Sequence, residues 1–172
     1  ILVVATGDEL VEPGEPIESW QVRRSNSYAL RGALTLRGCR QVAEDHLPDD
    51  PAVLRERLAV HLATHDVLVL SGGVSMGRFD HVPQALRDLG VTEVLHRVAQ
   101  RPGKPLWFGV GPSGQAVFGL PGNPVSSLVC LVRYVVPGLQ ALAGLAPRPP
   151  EPVALGAPFR VKPALWYFLP VQ

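Results

Sequence analysis

Asp66-Val-Leu-Val-Leu-Ser-Gly-Gly73 decides the reading of this chain, because a short, continuous apolar run breaks there into a serine and two glycines. An uninterrupted run of this length is the pattern of a strand buried on both faces, as in a parallel sheet covered by helices. The same pattern recurs on either side. Upstream, Ile1-Leu-Val-Val-Ala-Thr6 ends in Gly7-Asp8-Glu9, and downstream Ala116-Val-Phe-Gly-Leu120 ends in Pro121-Gly122-Asn123-Pro124.

Between these runs lie helical patterns. Asn26 to Leu36 has apolar residues at helical spacing, with Ser25 or Asn26 as N-cap and Gly38 beyond the end. Pro51 suits a first helical turn, and Val53, Leu54, Leu58 and Leu62 form one stripe. Pro83 to Leu89 reads as a helix stopped by Gly90, and Pro124 to Leu145 as a long apolar helix bent or interrupted at Pro137. Further strands are expected over Cys39 to Glu44, Val91 to Ala99 and Leu106 to Gly109. Strands alternating with helices predict an α/β domain with a parallel sheet and helices on both faces, over residues 1–146. Residues 147–152, Pro-Arg-Pro-Pro-Glu-Pro, read as a stiff linker, and residues 153–172 as the short, truncated β start of another unit.

Composition limits the functions open to the chain. Of 172 residues, 47% are hydrophobic and 18% charged, enough for a packed core. Sixteen basic against fifteen acidic side chains argue against a general nucleic-acid or membrane-surface binder, so charge must act locally. Cys39 and Cys130 are too few for a disulfide scaffold, which predicts a reducing, cytoplasmic setting. The chain opens at Ile1 inside an apolar run and reads as a fragment without a leader. The apolar stretch Ser127 to Ala146, broken by Arg133, Pro137 and Gln140, reads as a buried helix rather than a span. His61 and His65, one helical turn apart, read as a surface pair.

In an open α/β sheet, ligands bind at the carboxyl ends of the strands. The polar and glycine-rich segments fall there repeatedly. Ser71-Gly72-Gly73-Val74-Ser75 lets backbone amides approach an anion closely. Gly122-Asn123-Pro124-Val125-Ser126-Ser127 opens a helix whose amides favour phosphate or carboxylate. Neither is a nucleotide-triphosphatase loop or a dinucleotide fingerprint. Glu9, Asp49, Asp50 and Asp80 come from three strand ends and are hard oxygen ligands of the kind that suit Mg²⁺ beside phosphates. Either Asp49 or Asp50 fits that role, since both precede Pro51. Arg97, Arg101 and Lys104 supply the opposite sign.

These loops, in this order, resemble the molybdopterin-binding domain of molybdopterin molybdenumtransferases, the family that includes the C-terminal part of gephyrin. The residues that carry the likeness are Thr6-Gly-Asp-Glu-Leu10 with Pro13-Gly14 and Ser25-Asn26, then Asp49-Asp-Pro51, and Ser71 to Ser75 with Gly77 and Asp80. Arg101-Pro-Gly-Lys-Pro105 and Phe118-Gly-Leu-Pro121-Gly-Asn-Pro-Val-Ser126 complete the set. The resemblance implies a three-layer α/β/α, mostly parallel, MogA-like fold. It also implies transfer of molybdenum from molybdate into adenylylated molybdopterin with release of AMP, assisted by Mg²⁺, in a protein that forms a homodimer. The family's acidic functional positions map onto Glu9, Asp49 and Asp80, as metal ligands and, for Asp49 and Asp80, as catalytic groups. Arg97 and Arg101 fall where some members have functional lysines. Substrate contacts are implied for Gly72, Gly73, Val74, Ser75, Lys104, Pro121, Gly122, Asn123, Pro124 and Ser126. Arg24 stands where relatives often carry Asp. A molybdopterin adenylyltransferase, a nucleotide pyrophosphatase of similar fold and a non-enzymatic pterin-binding or scaffolding module are the alternatives.

Overall fold

The computed structural model describes residues 1–74, 81–146, 149, 151–161 and 164–169. The chain forms β1 (Leu2–Thr6), β2 (Leu10–Val11), β3 (Val22–Arg23), α1 (Asn26–Thr35), β4 (Ala43–Leu47), α2 (Pro51–Thr64), β5 (Val67–Ser71) and α3 (Val82–Asp88). It continues with β6 (Thr92–His96), β7 (Gln100–Arg101), β8 (Trp107–Val110), β9 (Ala116–Leu120), α4 (Pro124–Cys130), a π turn (Leu131–Val135), α5 (Val136–Leu142) and β10 (Trp166–Tyr167).

Six strands make the central sheet in the order β4-β1-β5-β9-β8-β6. β4, β1, β5 and β9 pair in parallel, whereas β8 runs antiparallel to both β9 and β6. Alternate residues of one strand serve opposite layers. Val4 of β1 and Leu70 of β5 join Leu54 and Leu58 of α2 and Leu86 of α3. Val3 and Val69 join Leu30 and Leu34 of α1 with Cys130, Leu131 and Val135. The result is the three-layer, mostly parallel α/β/α arrangement.

Three expectations need correction. The second strand lies over Ala43–Leu47 rather than Cys39 to Glu44. β4 is an edge strand, so Asp45 and His46 are tolerated in it because each finds a partner. Asp45 Oδ2 accepts from Arg57 at 2.7 Å and pairs with His61 Nε2 at 2.6 Å, while His46 Nε2 lies 2.8 Å from the Gly7 carbonyl. His61 is therefore buried rather than on the surface, and it meets His65 edge-on. The long helix, expected to be bent or interrupted at Pro137, runs on through it by way of a π turn. Pro137 has no N–H and its ring crowds the carbonyl four residues back, and the π turn ending at Val135 absorbs this locally.

That helix is also less buried than expected. Pro124–Leu142, 19 residues of mean hydropathy 1.5, is long and apolar enough by composition to cross a membrane. In the fold, Cys130, Leu131 and Val135 enter the core, while Val125, Leu128 and Val132 stay exposed. Near the C-terminus, β10 pairs in parallel with β7, and the Arg133 guanidinium lies 4.8 Å from the Phe168 ring centroid.

Candidate functional site

Sheet order sorts charge along the carboxyl-terminal edge. The loops after β1 and β4 carry Asp8, Glu9 and Asp49. The loops after β5 and β9, in the middle, carry Gly72, Gly73 and Gly122. The connection from β6 to β8, at the far end, carries Arg97, Arg101 and Lys104. From β1 to β8 is three strand spacings, about 14 Å. The chain thus presents an acidic end, a glycine-rich middle and a cationic end.

At the acidic end, the choice between the two aspartates is made by capping. Asp50 Oδ1 accepts from the amides of Ala52 and Val53 at 2.8 and 2.9 Å and is committed to starting α2. Asp49 instead faces the loop after β1, where its amide donates to Asp8 Oδ1 at 3.1 Å. Burial pushes the Asp49 carboxyl above its ordinary value, a backbone hydrogen bond from Asp8 pulls it back, and the charges of Glu9 and Asp8 raise it further. Glu9 folds over the backbone of Gly7, where a Cβ would fall 2.3 Å from its carboxylate.

In the middle, a cavity of about 320 Å³ opens between the ends of β1, β5 and β9, lined by Glu9, Arg23, Arg24, Asn26, Gly72 and Gly122 among others. Asn26 ties its walls together, donating from Nδ2 to Ser71 Oγ at 2.9 Å and to the Gly122 carbonyl at 2.8 Å. Gly72 has φ of +98°, and a Cβ there would fall 2.6 Å from the Thr6 carbonyl. Thr6 Oγ1 is buried with no hydrogen-bond partner among the described residues. Asn26 is expected from sequence as a helix start and as part of the Ser25-Asn26 pair in the family resemblance, and its place opposite two loops 45 and 96 residues away has no local signal.

Other predicted contacts take different parts. The Val74 side chain is core, packed beneath Gly119, and only its carbonyl faces outward, toward His96 Nε2 at 3.2 Å. Asn123 Oδ1 accepts from the amide and hydroxyl of Ser126 at 3.1 and 3.2 Å, so these two residues cap α4 together. The Pro121 carbonyl accepts from the Ser127 hydroxyl, while Gly122 and Pro124 line the cavity. Ser75 and Asp80 lie outside the described residues. Arg24 is paired with Glu12 and stands 5.6 Å from the Tyr28 ring centroid. The Tyr28 hydroxyl donates to Glu12 at 2.7 Å and, with Arg24, holds that carboxyl low. Its charge is neutralised at the rim.

At the cationic end, Arg97, Arg101 and Lys104 are exposed and have no ion-pair partner among the described residues. Arg97 has φ of +69° and ends β6, donating its amide to the Leu106 carbonyl at 2.7 Å. The Arg101–Pro102 peptide bond is cis. No group of three His, Cys, Asp or Glu side chains among the described residues is arranged to hold a metal ion by itself.

Comparison with known proteins gives the arrangement a context. Residues 2–141 match the family described as a probable molybdopterin binding domain. A molybdopterin molybdenumtransferase of Synechocystis is 42% identical over 100% of this chain, and the Haemophilus influenzae protein of the same name is 36% identical over 83%. The chain spans 42% and 35% of those relatives' lengths. The crystal structure of a molybdopterin biosynthesis MoeA protein from Pyrococcus horikosii matches 83% of this chain and 35% of its own, with TM-score 0.72 and 33% identity. A CinA protein from Thermoplasma acidophilum, at 16% identity and TM-score 0.60, shares the fold.

Proposed function

The chain belongs to the probable molybdopterin binding domain family, and on that premise we propose that it is the pterin-binding portion of a molybdenumtransferase of molybdenum cofactor biosynthesis. In this reading the whole protein is a cytoplasmic homodimer that takes adenylylated molybdopterin and molybdate and releases AMP. The observation that carries it is the charge order along one sheet edge: a cationic end and a carboxylate end flank a glycine-lined cavity, with β1 and β8 about 14 Å apart.

The roles follow from the placement. Gly72 and Gly73 leave room for a ligand's phosphate to approach the backbone, and Asn26 fixes the wall on which it lies. Arg101 and Lys104, with Arg97, collect molybdate and offset the charge it brings. Glu9, Asp49 and Asp80 supply the carboxylates at the opposite end.

These donors fit Mg²⁺. Asp49, Glu9 and Asp8 bring hard oxygens together; burial first and then their like charge raise the Asp49 carboxyl, and a cation would relieve the repulsion. One or two carboxylates suit an ion that completes its shell with water and substrate oxygens. When bound, Mg²⁺ neutralises developing charge on the departing adenylate. Asp49 holds its side of the cleft through the reciprocal contact with Asp8, and no side chain need form a covalent bond to substrate.

The test is AMP release from adenylylated molybdopterin by the whole protein, with Mg²⁺, with and without molybdate. Molybdate-stimulated release is expected. Binding of the adenylate with no release under either condition sinks the transferase reading and favours a pterin-binding module.

A further inference from the structure

The cationic turn is held by neutral groups from another element. We infer that the buried Gln100 and Cys130, with the half-buried Tyr134, form a positioning clamp that sets the Arg101–Lys104 turn against α4 and so fixes where its cations meet an oxyanion. Gln100 is only 3% exposed. Its Oε1 accepts from the Tyr134 hydroxyl, and its Nε2 donates to the Pro102 carbonyl at 3.0 Å and lies 3.6 Å from Cys130 Sγ. Cys130 Sγ in turn donates to the Gly103 carbonyl at 3.6 Å. Two consecutive carbonyls of the turn are thereby gripped from beneath.

The fit is close. Gly103 is buried with φ of +94°, and a Cβ there would fall 2.5 Å from Gln100 Nε2 and 2.6 Å from Cys130 Sγ. Tyr134 sits in the π turn, whose extra residue per turn rotates the helix face that follows α4. Asn123 and Ser126 lie at the start of the same helix. The clamp therefore makes the helix start and the cationic turn one body, two of the elements the proposed anion site needs.

A buried amide carries a desolvation cost that an apolar side chain would avoid, and here every polar contact of the Gln100 side chain points at the turn or its anchors. Neutrality also matters. A charged clamp would compete with Arg101 and Lys104 for the incoming anion. Burial pushes the Cys130 thiol up to about 12 and raises the Tyr134 phenol, so both stay protonated donors wherever phosphate and molybdate are ionised.

This inference rests on reading Arg101 and Lys104 as anion-collecting, and the test separates the two. Molybdate and orthophosphate are titrated calorimetrically at low salt into the whole protein and into Gln100→Met, Tyr134→Phe, Cys130→Ser and Leu62→Ala. Leu62 lies in the core on the opposite face of the sheet. Expected is a loss of molybdate affinity of about fivefold for Gln100→Met and two- to threefold for Tyr134→Phe. Cys130→Ser, which keeps a donor for Gly103, stays near the unsubstituted value. Leu62→Ala lowers the melting temperature without changing affinity. Unchanged affinity in Gln100→Met and Tyr134→Phe, or losses that track melting temperature across all four, overturns the clamp alone. If Gln100→Met does not fold, Tyr134→Phe decides. Failure of the unsubstituted protein to bind either oxyanion overturns the reading of the turn and the clamp with it.

Discussion

The two ends of the sheet edge hold their charges by opposite means. At the β4–β1 end, Asp49 is partly buried beside Asp8 and Glu9, and its carboxyl is raised by burial and like charge. At the β8–β6 end, Arg101 and Lys104 project into solvent, and what is buried is the uncharged scaffold beneath them. The acidic end is electrostatically loaded and the cationic end mechanically braced. A loaded carboxylate gains most when a cation or developing positive charge arrives. Exposed cations lose little when no anion is present, so their placement can be left to neutral hydrogen bonds.

The largest expected effect is at the loaded end. Asp49→Asn lowers turnover by on the order of 10²–10³ in a steady-state assay. The same change leaves the melting temperature at pH 7 equal or higher. The sign follows from linkage. A carboxyl raised in the fold is ionised at a cost there, so stability falls as pH rises from the ordinary 3.8 through the raised value, and the neutral amide escapes that cost. A marked drop in melting temperature would make Asp49 a structural residue.

Next is the glycine-rich middle. Gly72→Ala forces a Cβ against the Thr6 carbonyl at positive φ and costs roughly 2 kcal/mol or more in chemical denaturation. A loss near zero would mean that the loop between the two ends is soft. At the braced end, Arg101→Ala or Lys104→Ala weakens molybdate binding about tenfold with little change in stability, and added salt narrows the difference. The smallest effect concerns the edge that carries the turn. Glu93 Oε2 accepts from Trp107 Nε1 at 2.9 Å and from Arg87 at 2.7 Å, contacts that hold its carboxyl low. Glu93→Gln costs a few tenths of a kcal/mol at neutral pH, and that difference fades as pH falls through the lowered value of Glu93.

The sequence made some of this legible and hid the rest for physical reasons. β1, β5 and β9 are buried on both faces, so their apolar runs announce themselves. β4 is an edge strand whose Asp45 and His46 are satisfied by α2 and by Gly7, contacts no local pattern contains, and it starts at Ala43 rather than the expected Cys39. The charged candidates were legible as residue types. That Asp50 caps and Asp49 faces Asp8 depends on which way the chain leaves β4. Val74, Asn123 and Ser126 are ligand contacts only by the family resemblance; the fold adds that the Val74 side chain is core and that Asn123 Oδ1 and Ser126 cap α4, neither of which a local pattern reveals. Gln100 and Tyr134, 34 residues apart, carried no signal at all.

The central claim is that the two ends act on different substrates. The most direct measurement is AMP release by the whole protein as a function of molybdate concentration, for the unsubstituted form, Asp49→Asn and Lys104→Ala, with adenylylated molybdopterin saturating. The account predicts that Asp49→Asn loses maximal rate at nearly the same half-saturating molybdate. Lys104→Ala should instead need about tenfold more molybdate to approach the same maximal rate. Loss of the same parameter in both variants would contradict a division of labour between the acidic and the cationic end.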